Sequence, residues 1–148
     1  MKIWLNVVNG SSRGRRLDRS TLRSSARTIL SVLGFPDAEV SISFVDDPTI
    51  ATLAGDYGRT RKPTDVLAFS MLEGIGAEHR GTSLGDVVIS LDTAQRQADA
   101  RGVSLDEEVE HLTIHGVLHL LGMDHEDPAD AFGMRALEAH LRWELDRT

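Results

Sequence analysis

Four of the six histidines of the chain fall within HLTIHGVLHLLGMDHEDP, residues 111–128. Three of them, His115, His119 and His125, are spaced by four and then six residues. On a helix, residues four apart share a face, one turn above the other. His115 and His119 can therefore aim their imidazoles at one point. Gly122 stands where a helix commonly ends in a left-handed residue, a conformation glycine adopts without strain. The chain can then turn back and present His125 to the same point. Three neutral imidazoles with an open fourth position make a catalytic zinc site rather than a closed structural one. The chain has no cysteine, so disulfides, thiolate metal sites and cysteine nucleophiles are excluded. His111, four residues before His115, reads as a flanking residue among acidic neighbours, and His79 and His140 have no partners in sequence.

The pattern H-x₃-H-x₂-G-x₂-H matches the ligand and glycine spacing of the metzincin motif. It differs at one position. The residue after the first histidine is a glutamate in that motif, the general base of peptide hydrolysis. Here it is Gly116. A small residue there either lets a substrate or another segment approach the metal, or lets the helix pack tightly on a sheet. Asp124, beside His125, is a candidate base, a candidate orienter of the ligand, or a turn residue. Imidazole ligands suit zinc, and also nickel, cobalt and iron.

These residues need a scaffold. A chain of 148 residues, 41% hydrophobic and 26% charged, reads as one domain, 1–148. Lys2–Val8 alternates as a strand. Asp18 or Ser20 caps a helix through Leu33, with Leu22, Ala26, Ile29, Leu30 and Leu33 on one face and Gly34 ending it. Val40–Val45 alternates as a second strand. Asp47 followed by Pro48 starts a helix to about Tyr57. DVLAFSML is a third strand, Glu73–Ser83 a loop, and GDVVISL a fourth strand buried on both faces. Thr93–Ala100 is helical. Ser104 and Glu107 form a capping box for the histidine helix, which Gly122 stops. Asp127 or Asp130 starts a last helix ending near Leu145. The expected fold is a mixed α/β domain of about four strands and five helices, with the histidine helix central.

The net charge of −7 is uneven. Residues 1–100 carry 12 basic and 12 acidic side chains, whereas residues 101–148 carry 4 and 11. Net charge alone makes a poor nucleic-acid binder. Basic residues gather instead at Arg13–Arg27 and at Arg59, Arg61 and Lys62, as a solvated helix face or as one basic surface. No apolar run is long enough to span a bilayer. The N-terminus lacks the apolar core of a signal peptide, so the expected compartment is the cytoplasm.

HGVLHLLGMDH resembles the signature H-G-x-L-H-L-x-G-x-D-H of the YbeY-type endoribonucleases, with every fixed position present. KPTDVLAFS (Lys62–Ser70) and LGDVVIS (Leu84–Ser90) are similar to two further stretches of that family, in the family's order. The resemblance implies a single-domain metalloenzyme with zinc on His115, His119 and His125. It implies single-strand-preferring endoribonuclease activity in ribosomal RNA maturation, notably at the 3′ end of 16S RNA, and in ribosome quality control. Ribosomal small-subunit and assembly proteins are the implied protein partners. The family carries a functional arginine just before its PTDVLSF segment, commonly in Y-R-G. This chain reads Tyr57-Gly58-Arg59, so Arg59 is the nearest stand-in and Arg61 the backup. With Lys62 they are the candidate RNA-binding residues, since a planar guanidinium suits phosphate. The two rival readings are a metzincin-like metalloprotease and a non-enzymatic ribosome-assembly factor with a structural metal.

Overall fold

The computed structural model describes residues 1–8, 14–58, 61–71, 82–123 and 128–147. The elements run β1 (Lys2–Val7), α1 (Arg19–Val32), β2 (Glu39–Val45), α2 (Asp47–Asp56), β3 (Val66–Ser70), β4 (Ser83–Ser90), α3 (Leu91–Arg101), α4 (Leu105–Leu120) and α5 (Pro128–Asp146). The strands form one mixed sheet in the order β1-β2-β4-β3. β1, β2 and β4 are parallel, and β3 runs antiparallel along the edge of β4. The expected α/β domain with a four-stranded sheet and five helices is the one observed.

Alternation sorts the side chains to two faces. Ile3, Val40, Ile42, Phe44, Val87 and Ile89 are buried with Leu22, Ile29 and Leu30 of α1, and with α4 and α5, in the main core. Val45, Leu67 and Val88 meet Ile50 and Ala54 of α2 in a smaller cluster. The apolar run of β4 is therefore buried on both faces, as its composition suggests.

Caps explain most of the boundaries, and two expected ones move. Asp18 caps α1, accepting from the Thr21 amide at 3.0 Å. Asp46, not Asp47, caps α2 through the Thr49 amide at 2.9 Å, which puts Pro48 one place further into the helix than expected. The physical reason is that the Asp47 carboxylate is engaged elsewhere. It accepts from Ser90 Oγ at 2.6 Å, Thr93 Oγ1 at 2.7 Å and Arg96 Nη2 at 2.9 Å. Ser90 in turn caps α3, so β4 ends there and Leu91 already belongs to the helix. The third strand is shorter than DVLAFSML at both ends, leaving out Asp65 and Met71, and Leu72 and most of the following loop lie outside the described residues. α5 begins at Pro128, which excludes a start at Asp130; Asp127 lies outside the described residues.

α4 lies flat on β3 and β4 because Gly116 has no side chain. A Cβ there would stand 2.5 Å and 3.1 Å from the two methyls of Val87 and 3.3 Å from Val66. Of the two roles open to Gly116, tight packing of helix on sheet is the one seen. Ser70, at the end of β3, fixes the other end of the contact by donating to the Leu120 carbonyl at 2.8 Å.

Gly116→Ala should destabilise the fold by about 1–3 kcal/mol, the cost of overpacking a filled core. Adding Val87→Ala should recover part of that loss in chemical denaturation; no loss in the single variant would refute the packing argument. Asp47 gives a pH signature. Burial would raise its pKa, but the Ser90, Thr93 and Arg96 donors outweigh burial and hold it below the ordinary carboxylate value. The folded state then binds its proton less readily than the unfolded one. That contribution is present above about pH 4 and lost as pH falls through the folded pKa. Asp47→Asn should be less stable than the parent at pH 7, and the gap should close in acid.

Candidate metal centre

Most of α4 is a core helix. From His111 to Leu120 every side chain is buried except those of His111, His115 and His119, which keep partial exposure. The three fall at successive turns and make the one stripe along this stretch that water reaches. Ser104 Oγ accepts from the Glu107 amide at 3.1 Å and so caps the start of the helix, the Ser104 half of the expected capping box. Asp106, Glu107 and Glu108 in the first turn suit the positive end of its dipole.

The far end stops as expected. Gly122 has φ +88°. Its amide donates to the His119 carbonyl at 2.9 Å, and the Met123 amide donates to the Leu118 carbonyl at 3.1 Å. This paired arrangement is the Schellman stop, and it demands the left-handed residue that glycine supplies. The chain leaves the helix immediately beyond His119. His125 and Asp124 follow within a few residues and lie outside the described residues, as does Arg59.

His115 meets neighbours on two helices. Its Nε2 lies 3.0 Å from Oε1 of Glu138 on α5. Its ring centroid lies 4.3 Å from that of His111. Burial, and then the neighbouring His115, depress the His111 pKa, so His111 favours the neutral ring. A cleft of about 300 Å³ opens beside the pair, lined by Asp65, Gln97, Arg101 and Glu108. Gln97 donates to Asp65 at 3.3 Å, and Arg101 pairs with the buried Glu108.

The structure thus brings His115 and His119 onto one face and leaves the basic loop apart from them in its described contacts. Arg61 folds over Gly55 and pairs with Asp56 at 3.1 Å, and Lys62 is exposed. His111 is closer to the site than a flanking residue, and its i−4 spacing was the available signal. Glu138 was missed. Its signal is a lone carboxylate in the apolar stripe Met134, Leu137, Leu141 and Leu145.

Among the described residues, no group of three or more His, Asp or Glu side chains is placed to hold a metal ion. The donor chemistry nevertheless fits one. Two half-buried imidazoles share a helix face, and the chain reverses beyond them at a glycine fixed in the left-handed conformation. The same geometry disfavours a protease. A glutamate at position 116 would have its Cβ within 2.5 Å of Val87.

Comparison with known proteins agrees with the resemblance carried by the motifs. The family model Endoribonuclease YbeY matches residues 8–146. An Endoribonuclease YbeY of Anaeromyxobacter dehalogenans is 48% identical over 120 residues, covering 81% of this chain and 61% of that protein. The match thus spans under two-thirds of that relative. One from Aquifex aeolicus is 46% identical over 112 residues, covering 76% and 73%. One from Synechococcus is 41% identical over 140 residues, covering 93% and 77%. The solution structure of TM1509 from Thermotoga maritima superposes with a TM-score of 0.65 over 97% of this chain and 88% of that one, at 20% identity, and so supports the fold. The histidine stripe, the glycine stop and the matched sequence together place the chain in the YbeY endoribonuclease family.

Proposed function

We propose that the chain is a zinc-dependent endoribonuclease that cuts single-stranded ribosomal RNA in the cytoplasm, at the 3′ end of 16S RNA and in ribosome quality control. The observation that carries this reading is the histidine stripe, the solvent-reachable line on an otherwise buried stretch of α4. Family membership supplies the substrate class.

His115 and His119 would hold the ion with His125. When bound, zinc supplies Lewis acidity toward a phosphodiester and lowers the pKa of water to near 7. The chain's own residues do the rest. A cation must meet the charge that develops on the non-bridging phosphate oxygens. Arg59 is the better placed in sequence, because Arg61 is already paired with Asp56. Lys62, exposed on the same loop, is free of the core and suits the RNA backbone. Asp124 would take a proton or orient His125. The ends left on the RNA report the nucleophile: a 2′,3′-cyclic phosphate marks attack by the 2′-OH, and a 5′-phosphate opposite a 3′-hydroxyl marks water.

His119→Ala should keep the circular dichroism spectrum of the parent, lose bound zinc and lose cleavage of a single-stranded RNA. Metal loss with all ribosome-related function intact would instead identify an assembly factor with a structural ion. Cleavage of casein and never of RNA would return the protease. Arg59→Ala should retain zinc while cleavage falls by on the order of 10²–10³-fold, the usual loss of one charge-stabilising donor. Arg61→Ala should cost far less.

A further inference from the structure

Tyr57 is the only tyrosine of the chain, and it is 66% exposed. Exposure alone says little, because single apolar side chains are common on protein surfaces. What sets Tyr57 apart is how its ring is held. The ring centroid lies 4.5 Å from that of Phe69 on β3, with the planes tilted by 46°. Phe69 itself packs into the smaller core cluster. One side of the Tyr57 ring is thus seated on the edge of the sheet, and most of the rest is open to water.

The ring also has a place relative to the site. Tyr57 caps the C-terminal end of α2, and Gly58, at φ +77°, turns the chain there into the loop that carries Arg61 and Lys62. That loop leads to Asp65, which lines the cleft beside His111 and His115. Phe69 is followed by Ser70, which donates to the carbonyl of Leu120, the residue after His119. The edge strand β3 therefore carries the tyrosine ring on one face and meets the histidine end of α4 on the other.

Cations on the loop meet phosphates, and phosphates are present on single strands and duplexes alike. Those charges do not tell the two apart. A base face does. In a duplex the bases are stacked on one another, whereas an unpaired base can be splayed out and laid on an aromatic ring. Such stacking tolerates any base, because every base has a π-face. We propose that Tyr57 is a stacking platform for one nucleobase of the RNA strand whose phosphates meet the basic loop, and that it favours single strands over duplexes. This rests on the endoribonuclease reading given above.

The test uses the full, zinc-loaded chain and one RNA sequence, supplied as a single strand and as a duplex. Affinity for each is read by fluorescence anisotropy, and kcat and KM are measured on the single strand. Tyr57→Ala should keep the parent's zinc content and an unfolding midpoint close to the parent's. Its single-strand affinity should fall about 5–150-fold, the usual loss of one base–aromatic stack. The loss should appear in KM with kcat little changed, since stacking is made equally in the ground and transition states. Duplex affinity should hardly move. Tyr57→Trp keeps a π-face and should retain the single-strand affinity. Because the chain has one tyrosine, 3-fluorotyrosine labels this ring alone. Its fluorine resonance should move on adding the single strand and stay in place on adding inorganic polyphosphate. Parent-like single-strand affinity in Tyr57→Ala, or equal losses on single strand and duplex, would overturn the proposal. A resonance moved as far by polyphosphate as by RNA would also overturn it, because the ring would then sense only charge on the loop. A parent chain that neither binds nor cuts single-stranded RNA would overturn the endoribonuclease reading itself, which separates the two failures.

Discussion

The contact between α4 and the sheet is the constraint on which the rest depends. Gly116 lets the helix backbone settle onto Val87 and Val66, and no residue with a Cβ fits there without movement. With that face pressed down, rotation of the helix is no longer free. Leu112, Val117, Leu118 and Leu120 turn inward, and the histidines at 111, 115 and 119 take the remaining stripe. One steric condition thus both builds the core and chooses which residues meet solvent. It also decides the chemistry open to the site, since the position a protease would fill with its base is filled by the sheet.

Polar ties hold the other helices around that axis. Asp47 joins the start of α2 to the start of α3 through Ser90, Thr93 and Arg96. Arg101 at the end of α3 reaches the buried Glu108 of α4. Glu110 collects Ser25 of α1 and Arg142 of α5. Removing one partner from such a pair leaves a shielded charge, which costs more than the intact pair contributes. These ties therefore specify helix placement more than they add stability. They bring Gln97 and Arg101 of α3 beside the histidine stripe of α4, where Asp65 also lines the cleft.

Much of this was legible in the chain, for local reasons. Alternation marked β1 and β2, and the continuous apolar run of β4 marked burial on both faces. Ser104, Glu107 and Gly122 marked both ends of α4, and the histidine spacing marked one face. What was not legible depended on tertiary choice. Asp46 and Asp47 are both competent caps, and only the nearness of α3 settles which one turns away. Gly116 reads equally as an approach for substrate or as a packing point until Val87 is beside it. Glu138 is invisible to a motif because its meaning lies in α5 docking on α4, and the antiparallel edge position of β3 has no local signature.

Net charge misleads about this molecule for a related reason. The acidic excess of the last 48 residues argues against nucleic acid only if those carboxylates present a field to solvent. Several do not. Glu108 is buried against Arg101, Glu110 is held by Arg142 and Ser25, and Glu138 faces His115. Asp106 and Glu107 sit at the positive end of the α4 dipole. In the N-terminal part, by contrast, Arg19 and Arg27 are exposed, two turns apart on α1. An anionic strand would respond to the local potential along its path, not to the sum over the chain. The charge that matters for an RNA substrate is the charge left after folding has paired the rest.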